Sequence, residues 1–136
     1  MKIITKDSDY AVRAIMHLEK NRERFVSSSE ISRKENIPLI FLRRILQKLI
    51  KGKIAESKEG VSGGVKLIVS ADKISVANVI NIIQGQIQLI ECMFREKACE
   101  NRAKCILRKK VMGIEENVIE EFSKLTIRDL VDEGKG

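Results

Sequence analysis

Between Pro38 and Lys51 two stripes run along the same stretch of chain. Leu42, Ile45, Leu46 and Leu49 form one, and Arg44, Gln47, Lys48 and Lys51 form the other. Residues three and four apart share one face of an α-helix. The segment is therefore expected to be a helix with one face in a core and the other presenting long cations and amides. Pro38 suits its first turn, where a missing N–H costs nothing. The polar face has the side chains that meet phosphates and base edges, although an ordinary solvated face would look the same.

The flanks narrow the choice. Asp9 to Lys20 carries Ala11, Ala14, Ile15 and Leu18 at helical spacing. Ser27-Ser28-Ser29-Glu30 offers a capping box, with the Ser27 hydroxyl serving an orphan N–H and Glu30 reaching back. A short helix to about Lys34 follows, then a break at Asn36-Ile37. A short helix, a tight turn and a helix with a basic outer face make a helix-turn-helix. Lys53 to Ser57 reads as a short strand, Glu59-Gly60-Val61-Ser62-Gly63-Gly64 as a tight turn, and Val65 to Val69 as the return strand. A hairpin placed there is the wing of a winged helix. No GxxxxGK[ST] is present, which argues against a nucleotide loop.

Ser75 is expected to cap a fourth helix with Val76, Val79, Ile80 and Ile83 on one face, ending near Gly85. From about Ala103 to Lys124 a long helix carries Leu107, Val111, Ile114, Val118 and Phe122, with Leu125 just beyond. That spacing is close to a coiled-coil seam, and the expectation is pairing with a second copy; folding back on the same chain is the alternative. Gly113 lies inside this helix and weakens it. The tail DEGKG is expected to fray.

Lys and Arg number 26 against 19 acidic residues in 136, a formal charge of +7, which favours polyanionic partners. No apolar run is long enough for a membrane span and the start lacks a secretory signal, so a cytoplasmic location is expected. The only three cysteines, Cys92, Cys99 and Cys105, fall in one stretch, ECMFREKACENRAKC. An odd count in a reducing compartment argues against a disulfide framework. Thiolates are soft ligands for iron–sulfur clusters, and three from one loop can hold three corners. Zinc and unliganded thiols are the other readings. Arg95, Lys97, Arg102 and Lys104 surround the sulfurs and would stabilise thiolate in any of them.

Taken in order, KDSDYAVRAIMHL, SSSEISRKENIPLIFLRRILQKLIKGKI, EGVSGGVKL, the three cysteines and LTIRDLV resemble the Rrf-two superfamily of bacterial winged-helix regulators, the group that contains IscR and NsrR. The resemblance covers essentially the whole chain. It implies a mainly α fold with a small β wing, a homodimer, a double-stranded operator DNA and, in cysteine-bearing members, an iron–sulfur cluster. In the IscR type a histidine three residues after the last cysteine is a ligand; here that position is Arg108. His17, the only histidine, lies mid-helix and reads as a surface or packing residue. In the NsrR type an aspartate before the aromatic position of the first helix is thought to reach the partner's cluster, and Asp9 in SDYAVR matches it. The resemblance thus implies Cys92, Cys99, Cys105 and Asp9 as cluster ligands, with 4Fe–4S favoured and 2Fe–2S the other option. An acid in a first helical turn is the ordinary alternative for Asp9.

Candidate DNA contacts are Ser28, Arg43, Arg44, Gln47, Lys48, Lys51 and, in the wing, Lys58. The family often has an arginine before the wing glycine, whereas this chain has Glu59 there, so Lys58 is expected to do the reaching. Arg43 and Arg44 favour guanine. The expected organisation is a winged-helix DNA-binding domain over 1–84, a cysteine-bearing cluster loop over 85–105, and a dimerisation helix with a C-terminal helix over 103–131. The function expected is a cluster-dependent repressor responding to nitric oxide, redox or iron–sulfur status. A cluster-free regulator gated by thiol oxidation or by a partner protein is the alternative. An enzyme is not expected: the chain has no acid–base pair, no nucleophile–histidine arrangement and no cofactor loop.

Overall fold

The computed structural model describes residues 3–89 and 106–134. Helices α1 (Lys6–Lys20), α2 (Ser28–Glu35) and α3 (Leu39–Lys51) come first. Strands β1 (Ala55–Lys58) and β2 (Gly64–Leu67) follow, then a 3-10 turn over Ala71–Lys73 and α4 (Val76–Gln84). Beyond the cysteine segment lie α5 (Ile106–Lys124) and α6 (Ile127–Gly134). Cys92, Cys99 and Cys105 lie outside the described residues.

The apolar stripes end up inside. Ala11, Ala14, Ile15 and Leu18 of α1 share one core with Leu42, Ile45, Leu46 and Leu49 of α3 and with Val79 and Ile83 of α4. α1 begins a turn earlier than its stripe suggested, because the Thr5 hydroxyl accepts from the Ser8 N–H at 3.3 Å. Asn36 closes α2 in the left-handed conformation, φ 53°, a geometry asparagine tolerates. Pro38 is the N-cap of α3 and not its first residue; its carbonyl accepts from the Leu42 N–H at 3.0 Å. Ser75 caps α4 in a capping box with Asn78.

The wing is an antiparallel pair with Ala55 opposite Leu67 and Lys58 opposite Gly64. Both strands sit one or two residues from their expected limits, and a third segment joins them. Val26 exchanges two backbone hydrogen bonds with Val65, at 2.9 and 2.8 Å, which fastens the wing to the entrance of α2.

Two expectations need correcting in the last third. The stripe of α5 is not a single seam. Val118, Phe122 and Leu125 pack against Val76 and Ile80 of α4, whereas Leu107 is 68% exposed and Ile114 54%. α4 covers one half of the stripe; in the other, Val111 is half-buried and Leu107 and Ile114 stay exposed. Of the tail expected to fray, Asp132, Glu133 and Gly134 are helical, because α6 is docked, and residues 135–136 lie outside the described residues. Ile127 and Val131 enter the main core, and Arg128 reaches Glu19 of α1 at 3.1 Å.

The expected capping box at Ser27 is half formed. Its hydroxyl accepts from the Glu30 N–H at 3.1 Å, but the Glu30 carboxylate turns away to Arg24, at 2.7 Å, and to His17 Nε2, at 3.3 Å. The other ring nitrogen of His17 lies 3.1 Å from Glu35. His17 is therefore a tie between α1 and both ends of α2. The Arg24 hydrogen bond, aided by His17 and opposed by partial burial, holds the Glu30 carboxyl at about 2 instead of 4.5. A lowered carboxyl pKa stabilises the fold above its ordinary value, and the effect is lost as pH falls through the folded one. Glu30→Gln is thus expected to lower the Tm by about 2–4 °C at neutral pH. The gap should shrink below pH 4.5 and close near pH 2. Equal melting temperatures at neutral pH would contradict this.

Candidate nucleic-acid interface

α3 is held by its buried stripe, so the rest of its surface faces outward. Arg43, Gln47 and Lys51 are exposed, with no side-chain partner among the described residues. Ile40 lies among them and is 75% exposed. An apolar side chain near the N-terminal end of such a helix can meet a thymine methyl. Charge alone does not point to it; the sequence signal is an isoleucine on the polar side of a clean stripe.

The other predicted contacts are more constrained. Arg44 stacks on Phe41, 5.4 Å from the ring centroid, and meets Asp7 of α1 at 3.3 Å. Lys48 is half-buried and donates to the Ile83 carbonyl of α4 at 3.1 Å. Ser28 is the first residue of α2, next to the true cap Ser27, and is half-buried. Lys58 ends β1 with its ammonium 5.7 Å from the Phe25 ring centroid, and Lys66 of β2 lies 5.6 Å from the same ring. Lys66 also escaped the sequence reading, although strand alternation sets it across from Glu56. Val61 at the tip of the wing is fully exposed.

Asp9 is in the first turn of α1, with its side chain 59% exposed. Its carboxylate lies 3.3 Å from Arg13 Nε. That contact is an ion pair without hydrogen-bond geometry, since this buried Nε has no hydrogen-bond partner among the described residues. Arg13 is itself fixed by a bond to the Glu35 carbonyl at 2.8 Å and by the Tyr10 ring, 5.1 Å away. No group of three or more His, Cys, Asp or Glu side chains among the described residues is placed to hold a metal ion. Nor is any helix among them long and apolar enough to cross a membrane.

A helix-turn-helix with a cationic outer face, followed directly by a two-stranded wing, defines a winged-helix DNA-binding transcription regulator. The chain belongs to the Rrf2 family, described as an iron-dependent transcriptional regulator, which matches residues 4–133. It is a regulator and not an enzyme. Protein aau3 of Rhizobium meliloti is 30% identical over 129 residues, covering 94% of this chain and 84% of that protein. The HTH-type transcriptional regulator IscR of Pectobacterium carotovorum is 25% identical over 130 residues, covering 95% and 79%. CymR, the global cysteine regulator of B. subtilis, has the same fold, with a TM-score of 0.77, 22% identity and 98% of each chain covered.

Proposed function

We propose that the chain is a homodimeric, cytoplasmic regulator whose hold on operator DNA depends on an iron–sulfur cluster bound by its cysteine segment. The observation that carries this reading is the grouping of all three thiols between α4 and α5 in a chain of a family described as iron-dependent. The donor chemistry fits the group. Cys92, Cys99 and Cys105 would supply three soft thiolates. Asp9 is exposed and held by one ion pair alone, so its carboxylate is open to a second chain. When bound, the cluster supplies a centre that nitric oxide, oxidants or iron shortage can destroy. A hard carboxylate beside three thiolates leaves one iron weakly held, which suits such a sensor; 4Fe–4S is favoured over 2Fe–2S.

The chain's own parts take three roles, close to 1–84 for reading DNA, 85–105 for sensing and 103–131 for pairing. Ile106, Leu107 and Ile114 are exposed on α5, with Val111 half-buried between them, and this is the surface a second copy would cover. Pairing would set two α3 helices against two half-sites. On each, Arg43, Gln47 and Lys51, with Arg44 at their edge, would meet bases and phosphates, and Ile40 a thymine methyl. Ser28 and the wing cations Lys58 and Lys66 would hold the backbone.

Anaerobic reconstitution tests the sensor. Iron and labile sulfide are expected to bind, with a visible absorbance that nitric oxide bleaches. Asp9→Ala is expected to keep the colour but to speed its decay about tenfold, the lower end of what losing even a group that supports the ligands costs. A colourless chain whose DNA affinity follows thiol oxidation would instead be the cluster-free regulator. Identical spectra and decay in Asp9→Ala would remove that residue as a ligand.

A further inference from the structure

The last turn of α4 gathers contacts from two other helices. From α3, the Lys48 ammonium donates to the Ile83 carbonyl at 3.1 Å. The final carbonyls of a helix lack intrahelical donors, and a cation there also opposes the negative end of the helix dipole. From α1, the Gln84 amide oxygen accepts from the Thr5 N–H at 3.2 Å, from the Thr5 hydroxyl at 3.0 Å and from the buried Ser8 hydroxyl. Its amide nitrogen donates to the Ile3 carbonyl at 3.0 Å. The circuit closes between α1 and α3, where Asp7 meets Arg44. The fit of α3 on α4 is tight as well. A methyl on Gly52, just past the end of α3, would stand 3.0 Å from Ile82 Cδ1. Gly85, at φ 86°, then ends α4, and the chain departs toward the cysteines.

We propose that this turn is the joint through which the cysteine segment acts on the recognition helix, with Lys48 a positioning residue and not a DNA contact. The inference rests on the reading of α3 as the recognition helix and of the cysteine segment as the sensor. Lys51 is exposed and points away from its domain, whereas Lys48 is half-buried and turned to a carbonyl that would otherwise lack a charged donor. While that bond holds, α3 and the end of α4 move together. Any displacement at the start of the cysteine segment is then delivered to the half-site spacing.

The test uses the full chain, an operator duplex obtained by in-vitro selection with the wild-type protein, and a random duplex, each titrated across a range of salt. Lys51→Met is expected to flatten the slope of log affinity against log salt by about 1.8, the loss of one phosphate contact from each of the two recognition helices. Lys48→Met is expected to keep the wild-type slope and random-duplex affinity while operator affinity falls about tenfold. Its operator affinity should also become the same, within about twofold, for metal-free and anaerobically reconstituted protein. Lys48→Arg, which can still reach the carbonyl, should retain most of both properties, and this separates a lost joint from a lost fold. A slope in Lys48→Met that falls as in Lys51→Met, or an undiminished response, would overturn the proposal. If Lys51→Met and Arg43→Ala leave operator binding untouched, the reading of α3 fails, and the joint with it. If wild type itself shows no response to reconstitution, the sensor reading fails along with the joint, while the slopes still decide whether Lys48 touches DNA.

Discussion

Gly64→Ala is expected to destabilise the protein by about 3 kcal/mol or more. Two effects act together. Gly64 has φ 146°, a conformation that side chains with a Cβ rarely adopt. An added Cβ would also stand 2.2 Å from the Val26 carbonyl oxygen, 2.4 Å from its carbon and 2.8 Å from the Ser27 nitrogen. Those atoms are backbone, so no side chain can swing aside. The collision falls where Val26 and Val65 exchange their hydrogen bonds and where Ser27 caps α2. The methyl would part the wing from the helix-turn-helix, and with it the alignment of Lys58 and α3. Gly60 provides the control. It also has a positive φ, 106°, but no atom lies within 4 Å of its would-be Cβ. Gly60→Ala should therefore cost only the conformational strain, about 1 kcal/mol. Urea unfolding of the two variants decides the matter; equal midpoints for Gly64→Ala and wild type would contradict this packing.

The second large effect concerns binding and should leave stability alone. Changing Arg43, Gln47 and Lys51 together to alanine is expected to lower operator affinity by about a thousandfold or more, at one to three kcal/mol per specific contact. All three side chains are exposed and contribute no core contact, so melting temperature should stay close to wild type. The comparison with Lys48→Met separates residues that touch DNA from one that orients the helix. An unchanged operator affinity in a folded triple variant would move the interface away from α3.

Much of this was legible in the sequence for a definite reason. Leu42, Ile45, Leu46 and Leu49 recur at helical spacing because one face is buried, so periodicity found both the helix and its inward side. The same logic found α1 and α4, and the glycine-rich turn at 59–64 marked the two-stranded wing. It failed where one tertiary contact decides the outcome. Val26 joins the wing through a single bridge and leaves no periodic trace. Glu30 abandoned its capping role because Arg24 and His17, distant in pattern but near in space, compete for its carboxylate. Lys48 shares the spacing of Gln47 and Lys51 yet sits at the edge of their face, where the end of α4 claims it. The stripe on α5 was visible, but its division into a covered and an open half depends on where α4 lies. Lys66 and Ile40 escape a pattern of charge on helices, since Lys66 is on a strand and Ile40 is apolar.

Control of DNA binding by the cysteine segment is read directly from operator affinity at one fixed salt concentration, measured for metal-free and anaerobically reconstituted protein, in wild type and in Cys92→Ser. The two wild-type forms are expected to differ by about tenfold or more, within the usual range of allosteric coupling, and the two Cys92→Ser forms not at all. Equal affinities for the two wild-type forms, with iron and sulfide shown to be bound, would mean that the cysteine segment does not govern DNA binding.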